Sequence, residues 1–157
     1  MDSHESCELH GSCVEPYPEP VRKGEALKMN TAVLAYLGDA VYEVYVRKYI
    51  VDTGAARANV MHRAAVRFVN AGAQAVVMKA MLDEEDGGVI TDEDERVLVR
   101  RARNRKSATT PKNADPMDYK WATAFEALIG YYYMTEQTRK LEDTILFALN
   151  RIEGWAG

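Results

Sequence analysis

Apolar stretches without proline follow one another along this chain, separated by short segments that contain proline, glycine or helix-capping residues. The first stretch, residues 30–50, is rich in Ala, Leu, Val and Tyr; Asn30 can cap its beginning, and Gly54 lies just beyond its end. No segment alternates apolar and polar residues over a convincing length, and we find no internal repeat. This pattern predicts an all-α fold whose first long helix spans 30–50.

The later part of the chain carries similar start and stop signals. Residues 58–82 lack proline, but Asn70 and Gly72 divide them into two shorter helices, because Asn caps a helix well and an interior Gly is unfavourable. A capping box at Thr91, with acids in the first turn and Arg in the last, begins a helix over about 92–105. The remaining predicted segments are a loop over 107–117 and helices over 118–134 and 136–153.

Length and composition indicate one folded domain preceded by an arm. The chain has 157 residues, of which 47% are apolar and 28% charged, so most of it is globular and there is little room for a second domain. Residues 1–27 hold three of the five prolines and few bulky aliphatic side chains. We therefore predict a flexible N-terminal arm over 1–27 and the folded domain over 28–157.

Charge and hydropathy limit the classes of partner. No uncharged apolar run reaches the ~18 residues needed to cross a bilayer. The first residues also lack the basic segment followed by an apolar segment that is typical of a secretion signal. We expect a soluble, cytoplasmic protein with no membrane partner. The formal net charge is −4, so a nucleic-acid partner would need a local basic patch.

Two histidines and two cysteines recur every three residues within the arm. They are His4, Cys7, His10 and Cys13, side chains that suit Zn²⁺. The spacing is tighter than in zinc folds and the arm lacks an apolar supporting shell, so an accidental pattern in a disordered arm is the favoured interpretation. Because both cysteines lie in the arm, no disulfide can stabilise the rest of the chain.

Two lone acidic residues stand in otherwise apolar helices. Asp39 follows Gly38 in the middle of the first helix, which we expect to be central and buried, and Glu126 lies one helical turn before Gly130. An interior glycine costs about 0.5–1 kcal/mol relative to alanine, and close approach of the two helices would explain both glycines. If the helices cross there, Asp39 and Glu126 face one another and can hold Mg²⁺. The alternative is a pair of hydrogen-bonded core acids with a structural role.

Basic residues cluster from Arg96 to Lys112, with no acid between them. Such a cluster, at a helix end and in the loop after it, can follow a phosphate backbone, and the hydroxyls of Ser107, Thr109 and Thr110 can add contacts to phosphate or ribose. The alternative is a solvated face whose charges pair with the acids of 83–95. The separation of the acidic and basic blocks favours a polarised surface.

Four strings of sequence resemble a known nuclease family. YLGDAV at 36–41 and TAFEALIG at 123–130 resemble the two acidic motifs of ribonuclease III. LGDAVYEVYVR at 37–47 and RNRKSATTPKN at 103–113 narrow the resemblance to the Mini-ribonuclease III branch, which has the nuclease domain without a double-stranded-RNA-binding domain. The resemblance covers about residues 29–152.

The resemblance implies an all-helical homodimer that cuts double-stranded RNA with Mg²⁺ and matures the ends of precursor large-subunit (23S) ribosomal RNA. Asp39 and Glu126 occupy the carboxylate positions of the family, where they would bind metal and orient or activate the attacking water, leaving 5′-phosphate and 3′-hydroxyl ends. The residues expected to contact RNA are Arg100, Arg103, Arg105, Lys106, Ser107, Thr109, Thr110, Lys112 and Asn113.

This sequence departs from the larger ribonuclease III pattern at two positions. Ala35 and Thr123 stand where that family usually has acids, which leaves the metal number and the full ligand set open. Glu43 and Asp118 could substitute for them. We favour an ion pair with Arg47 for Glu43, four residues before it, and a helix N-cap for Asp118.

Two other functions fit the same features. One is a catalytically inactive RNA-binding dimer on the same scaffold, which the two missing acids favour and the retained Asp39 and Glu126 oppose. The other is a helical metal-binding enzyme of small molecules, with carboxylates directed inward. It would have a closed pocket and no salt-dependent affinity for RNA, whereas a nuclease would have an open basic valley.

Overall fold

The computed structural model describes residues 19–83, 85, 88–106 and 110–154. Within these ranges the chain forms helices and no strand, which confirms the predicted all-α fold. No helix of the described ranges is both long and apolar enough to cross a membrane. The helices are α1 (Lys23–Leu27), α2 (Thr31–Asp52), α3 (Ala58–Val69), α4 (Ala71–Leu82), α5 (Glu93–Asn104), α6 (Pro116–Met134) and α7 (Thr138–Glu153).

Two asparagine caps lie where the sequence predicts them. The Asn30 side chain accepts a hydrogen bond from Ala32 N at the start of α2, and the Asn70 side chain accepts one from Ala73 N at the start of α4. Asn70 also separates α3 from α4, so the predicted division of 58–82 is confirmed. Each cap satisfies one of the N–H groups that a helix start leaves without an intrahelical partner.

Two other predicted caps are wrong, one by a single residue and one by three residues. The cap of α5 is Asp92 rather than Thr91, because the Asp92 carboxylate accepts hydrogen bonds from Asp94 N and Glu95 N. The cap of α6 is Asp115 rather than Asp118, and Pro116 occupies the first helical position. Proline suits that position because its missing N–H is not needed there and its φ is already helical.

The packed chain begins earlier than the predicted boundary at residue 28. Helix α1 lies within 1–27, its Ala26 is fully buried, and Val21 N donates to Met134 O at 2.9 Å. Residues 21–27 therefore pack on the domain rather than forming part of an arm. The four candidate zinc ligands lie outside the described residues: His4, Cys7, His10 and Cys13.

Helix α6 is the central helix, and α2, α4, α5 and α7 pack around it. The rings of Tyr42 and Phe125 meet edge to face with centroids 5.0 Å apart, and both side chains are fully buried. Tyr42 also donates from its hydroxyl to Phe68 O at 3.2 Å, which ties α2 to the end of α3. Aromatic pairs of this geometry contribute about 0.5–1.5 kcal/mol beyond the area they bury.

Helix α2 is buried on one face only and α6 is the central helix, so the expectation that α2 is the central, buried helix is wrong. The opposite face carries exposed apolar side chains at helical spacing, which we call the α2 stripe. Its members are Val33, Tyr36, Ala40, Val44 and Val51.

Candidate active site

The α2 and α6 backbones approach each other at two glycines. A Cβ atom built on Gly38 would overlap the carbonyl oxygen of Glu126 and come within 2.8 Å of Gly130 N. A Cβ atom on Gly130 would overlap the carbonyl oxygen of Leu34 and come within 2.8 Å of its carbonyl carbon. The prediction that the two helices cross at these glycines is confirmed, since only glycine leaves room for main-chain contact.

The crossing brings Asp39 and Glu126 to the same pocket. Both side chains line a concavity with a volume of about 240 Å³, in which Asp39 is exposed and Glu126 is half-buried. The negative charge of Asp39 raises the pKa of Glu126, so the two carboxylates are close enough to interact electrostatically. Two acids from distant parts of the sequence thus share one site that is open to solvent.

Both carboxyl groups resist ionisation. Burial, and then the charge of Asp39, raise the pKa of Glu126 to about 8, while a hydrogen bond from the Gln74 side chain acts in the opposite direction. Partial burial, and then the charge of Glu43, raise the pKa of Asp39. A cation between the two carboxylates would offset both the burial and the mutual repulsion that disfavour their charged forms.

The donor set fits a hard divalent cation with an incomplete protein shell. Mg²⁺ characteristically binds through one or two carboxylates and completes its coordination with waters and substrate phosphates. In the described part of the chain no cluster of three or more His, Cys, Asp or Glu residues could hold a metal. Ala35 and Thr123 line the same pocket, so the two positions where the larger family has acids contribute a methyl group and a hydroxyl.

Neither possible substitute acid lines this pocket. Glu43 pairs with Arg47 at 2.6 Å, as predicted, although its charge still reaches Asp39. Asp118 lies half-buried in the first turn of α6, and the N-cap role predicted for it belongs to Asp115.

Two cationic side chains, Arg105 and Lys120, line the pocket beside the carboxylates. Arg105 belongs to the predicted basic cluster, whereas Lys120 was not among the predicted site residues. The available signal was its spacing: Lys120, Thr123 and Glu126 recur every three residues on α6, so they project toward one side of the helix. Positive charge next to paired carboxylates is the arrangement expected where a phosphodiester meets a metal.

The rest of the basic cluster divides among several environments. Arg100 lies with Arg105 in a neighbouring concavity. The Arg103 guanidinium carbon sits 4.8 Å from the centroid of the Trp121 ring, and Arg101 donates to the main-chain carbonyls of Leu27 and Met29. The exposed members on and after the end of α5 are Lys106, Thr110, Lys112 and Asn113. Ser107 and Thr109 lie outside the described residues.

Comparison with known proteins places these residues within one family of sequences. The family model described as "Ribonuclease III domain" matches residues 32–137, a range that contains both Asp39 and Glu126. A protein named Mini-ribonuclease 3 from Enterococcus faecalis is 44% identical over 125 residues, which cover 80% of this chain and 92% of that protein. A Mini-ribonuclease 3 from Symbiobacterium thermophilum is 39% identical over 133 residues, covering 85% and 98%.

A solved structure has a similar fold. The crystal structure of a Fusobacterium nucleatum protein matches with a TM-score of 0.68 and 30% identity, and the match covers 78% of this chain and 93% of that one.

Proposed function

The chain belongs to the ribonuclease III family and is an endoribonuclease, and on this premise we propose that it hydrolyses double-stranded RNA with Mg²⁺ at Asp39 and Glu126. The observation that carries the proposal is the pocket these carboxylates share with Arg105 and Lys120. A closed cavity for a small molecule would not expose Asp39 at its mouth, whereas a duplex can reach an exposed carboxylate.

Each side chain of the pocket has a distinct task in the proposed reaction. When bound, Mg²⁺ supplies positive charge that polarises the phosphodiester and lowers the pKa of water. Asp39, at the open side, orients the attacking water. Glu126, at the inner wall, would hold the ion with its carboxylate. Arg105 and Lys120 balance the charge that develops on the phosphate oxygens. In-line attack breaks the P–O3′ bond, so that the products carry 5′-phosphate and 3′-hydroxyl ends.

The substrate proposal rests on the basic surface that adjoins this pocket. Arg100 and Arg105 line the concavity next to it, and Lys106, Thr110 and Lys112 are exposed just beyond α5. These residues fit the phosphates of a duplex. As the resemblance of 103–113 to the Mini branch implies, the proposed natural substrate is precursor 23S ribosomal RNA in the cytoplasm.

We also propose that the active form is a homodimer assembled through the α2 stripe. Tyr36 has 85% of its surface exposed and Val44 has 67%, which is unusual for large apolar side chains that repeat along one helix face. Tyr36 also lines the pocket of Asp39 and Glu126, so a second copy seated on the stripe would lie next to the site. A two-fold dimer would present two such sites to one duplex.

The test is cleavage of a double-stranded fragment of precursor 23S ribosomal RNA in Mg²⁺, with the product ends mapped. The wild-type chain is expected to cut the duplex, and Asp39→Asn is expected to cut at least about a thousandfold more slowly. Asp143→Asn, which changes an exposed acid of α7, is the matched control and should retain full activity. Binding without cleavage by the wild-type chain would support an inactive RNA-binding dimer, and full activity of Asp39→Asn would refute the site.

A further inference from the structure

One fully buried polar side chain lies against the proposed active site. Gln74 belongs to α4, which packs on α6, and only 1% of its surface is exposed. Its Nε2 donates to Val69 O at 3.2 Å. The amide also lies close enough to the Glu126 carboxylate to lower the pKa of that group. Its Oε1 has no hydrogen-bond partner among the described residues.

The orientation of this amide follows from its partners. A main-chain carbonyl only accepts hydrogen bonds, so the group that meets Val69 O must be the NH₂ of Gln74. A bound cation would favour the ionised form of Glu126, and an ionised carboxylate also only accepts, so the second N–H of the same group is the one that can serve Glu126. The NH₂ group thus faces Val69 O and Glu126, and Oε1 is the atom left without a partner among the described residues.

The unpaired Oε1 argues against a purely structural role. A buried acceptor without a partner costs about 1–3 kcal/mol, and an apolar side chain of the same shape would avoid that cost. The α4 residues around Gln74 are apolar and buried, among them Ala73, Val77 and Met78. An amide at this position therefore leaves an acceptor unpaired, and it supplies two donors that an apolar side chain cannot, one to Val69 O and one toward Glu126.

We infer that Gln74 is a positioning residue of the active site, which fixes the Glu126 carboxylate toward Asp39 by donating from an amide that Val69 O holds in place. The inference rests on the proposed function of the pocket. Groups that orient metal-binding carboxylates typically change metal affinity or activity by 10–100-fold when they are removed. Without Gln74 the Glu126 side chain can rotate away, so the site should bind metal more weakly and cleave more slowly.

The test replaces Gln74 with methionine, which keeps the unbranched shape and removes the amide. Gln137→Met is the matched control, because Gln137 also donates from Nε2, to Thr135 Oγ1, but lies outside the pocket. The measurements are single-turnover cleavage, the Mg²⁺ concentration at half-maximal rate, KM for RNA, calorimetric titration of Mn²⁺ into the RNA-free protein, and the melting temperature.

We expect Gln74→Met to lower kcat by about tenfold or more, to raise half-saturating Mg²⁺, and to weaken Mn²⁺ binding by about 10–100-fold. KM for RNA and the melting temperature should stay close to wild type. A residue with only a structural role would not change kcat and metal affinity while leaving these two values unchanged. Unchanged kcat and Mn²⁺ affinity, or a fall in kcat that follows a lower melting temperature, would overturn the inference. Gln74→Leu replaces the methionine variant should the latter not fold.

The same experiment separates this inference from the proposed function. A wild-type chain that binds Mn²⁺ but cuts no RNA contradicts the proposed function, and a weaker Mn²⁺ titration for Gln74→Met would still support the positioning role. A wild-type chain that cuts RNA alongside an equally active Gln74→Met contradicts the positioning role alone.

Discussion

Gly38 packs its Cα directly against the main-chain carbonyl of Glu126, with no space for a side chain between them. This contact fixes the distance between α2 and α6, and the residue after Gly38 is Asp39. Backbone packing therefore fixes the main-chain positions from which the two proposed ligands extend.

Gly38→Ala is expected to push α2 and α6 apart. The new Cβ would overlap the Glu126 carbonyl, so we expect the free energy of unfolding to fall by about 3 kcal/mol or more and cleavage to be lost. Urea unfolding measures the change. Gly24→Ala is the control: it lies in α1 with nothing within 4 Å of the added Cβ, so it should change stability by less than about 1 kcal/mol. Equal effects of the two variants would contradict the account.

The stability of the metal-free protein should fall as pH rises from about 4.5 to about 8. The pKa of Glu126 is raised to about 8, so the folded chain keeps a proton that the unfolded chain releases in this window. Each pKa unit corresponds to about 1.4 kcal/mol, and the loss should reach a few kcal/mol. Urea unfolding in a chelator at about pH 5 and about pH 8.5 measures it. Glu126→Gln should lose much of this dependence, and an identical pH profile for both proteins would contradict the assignment.

The sequence was enough to predict helices α2 to α7 and the crossing of α2 with α6, but not helix α1. Asn30 and Asn70 cap helices as expected because capping depends on local chemistry, and Gly38 with Gly130 predicted a main-chain contact because interior glycines have few other uses in a helix. Asp115 was missed as the cap of α6, although the proline after it is a local signal for a helix start.

The remaining features depend on which faces meet in three dimensions. The contact of Arg103 with Trp121 needs α5 and α6 in their final positions, and the amide of Gln74 meets Glu126 only after α4 packs on α6. The exposed side of α2 has the same apolar residue types as its buried side. Sequence alone could not tell a face that packs within the chain from one left open, so the burial of α2 was overestimated.

Lys120→Ala should weaken binding of double-stranded RNA by removing one phosphate contact. We expect an affinity about tenfold lower, with the slope of log affinity against log salt reduced by about one. Filter binding across a salt series in the Asp39→Asn background measures this without cleavage. Lys23→Ala, on the exposed surface of α1, should leave both values unchanged. A salt slope that does not change in Lys120→Ala would place Lys120 away from the phosphates.

Val44→Asp should disrupt the proposed dimer. A charge on the α2 stripe would be buried against apolar side chains of the second copy, so we expect the dissociation constant to rise by about a hundredfold or more. Sedimentation velocity over a concentration series measures it. Leu146→Asp, on the exposed face of α7, is the control and should remain dimeric. A wild-type chain that sediments as a monomer at assay concentrations would contradict the dimer.

The central claim is that Asp39 and Glu126 act together on one phosphodiester. The most direct measurement is the single-turnover cleavage rate of Asp39→Asn, Glu126→Gln and the double variant in Mg²⁺. When two groups act as a unit, removing either one removes most of the rate enhancement that they provide together. The double variant is therefore expected to cut no more than about threefold slower than the slower single variant. Rate losses that multiply, or a single variant that cuts at the wild-type rate, would contradict a shared site.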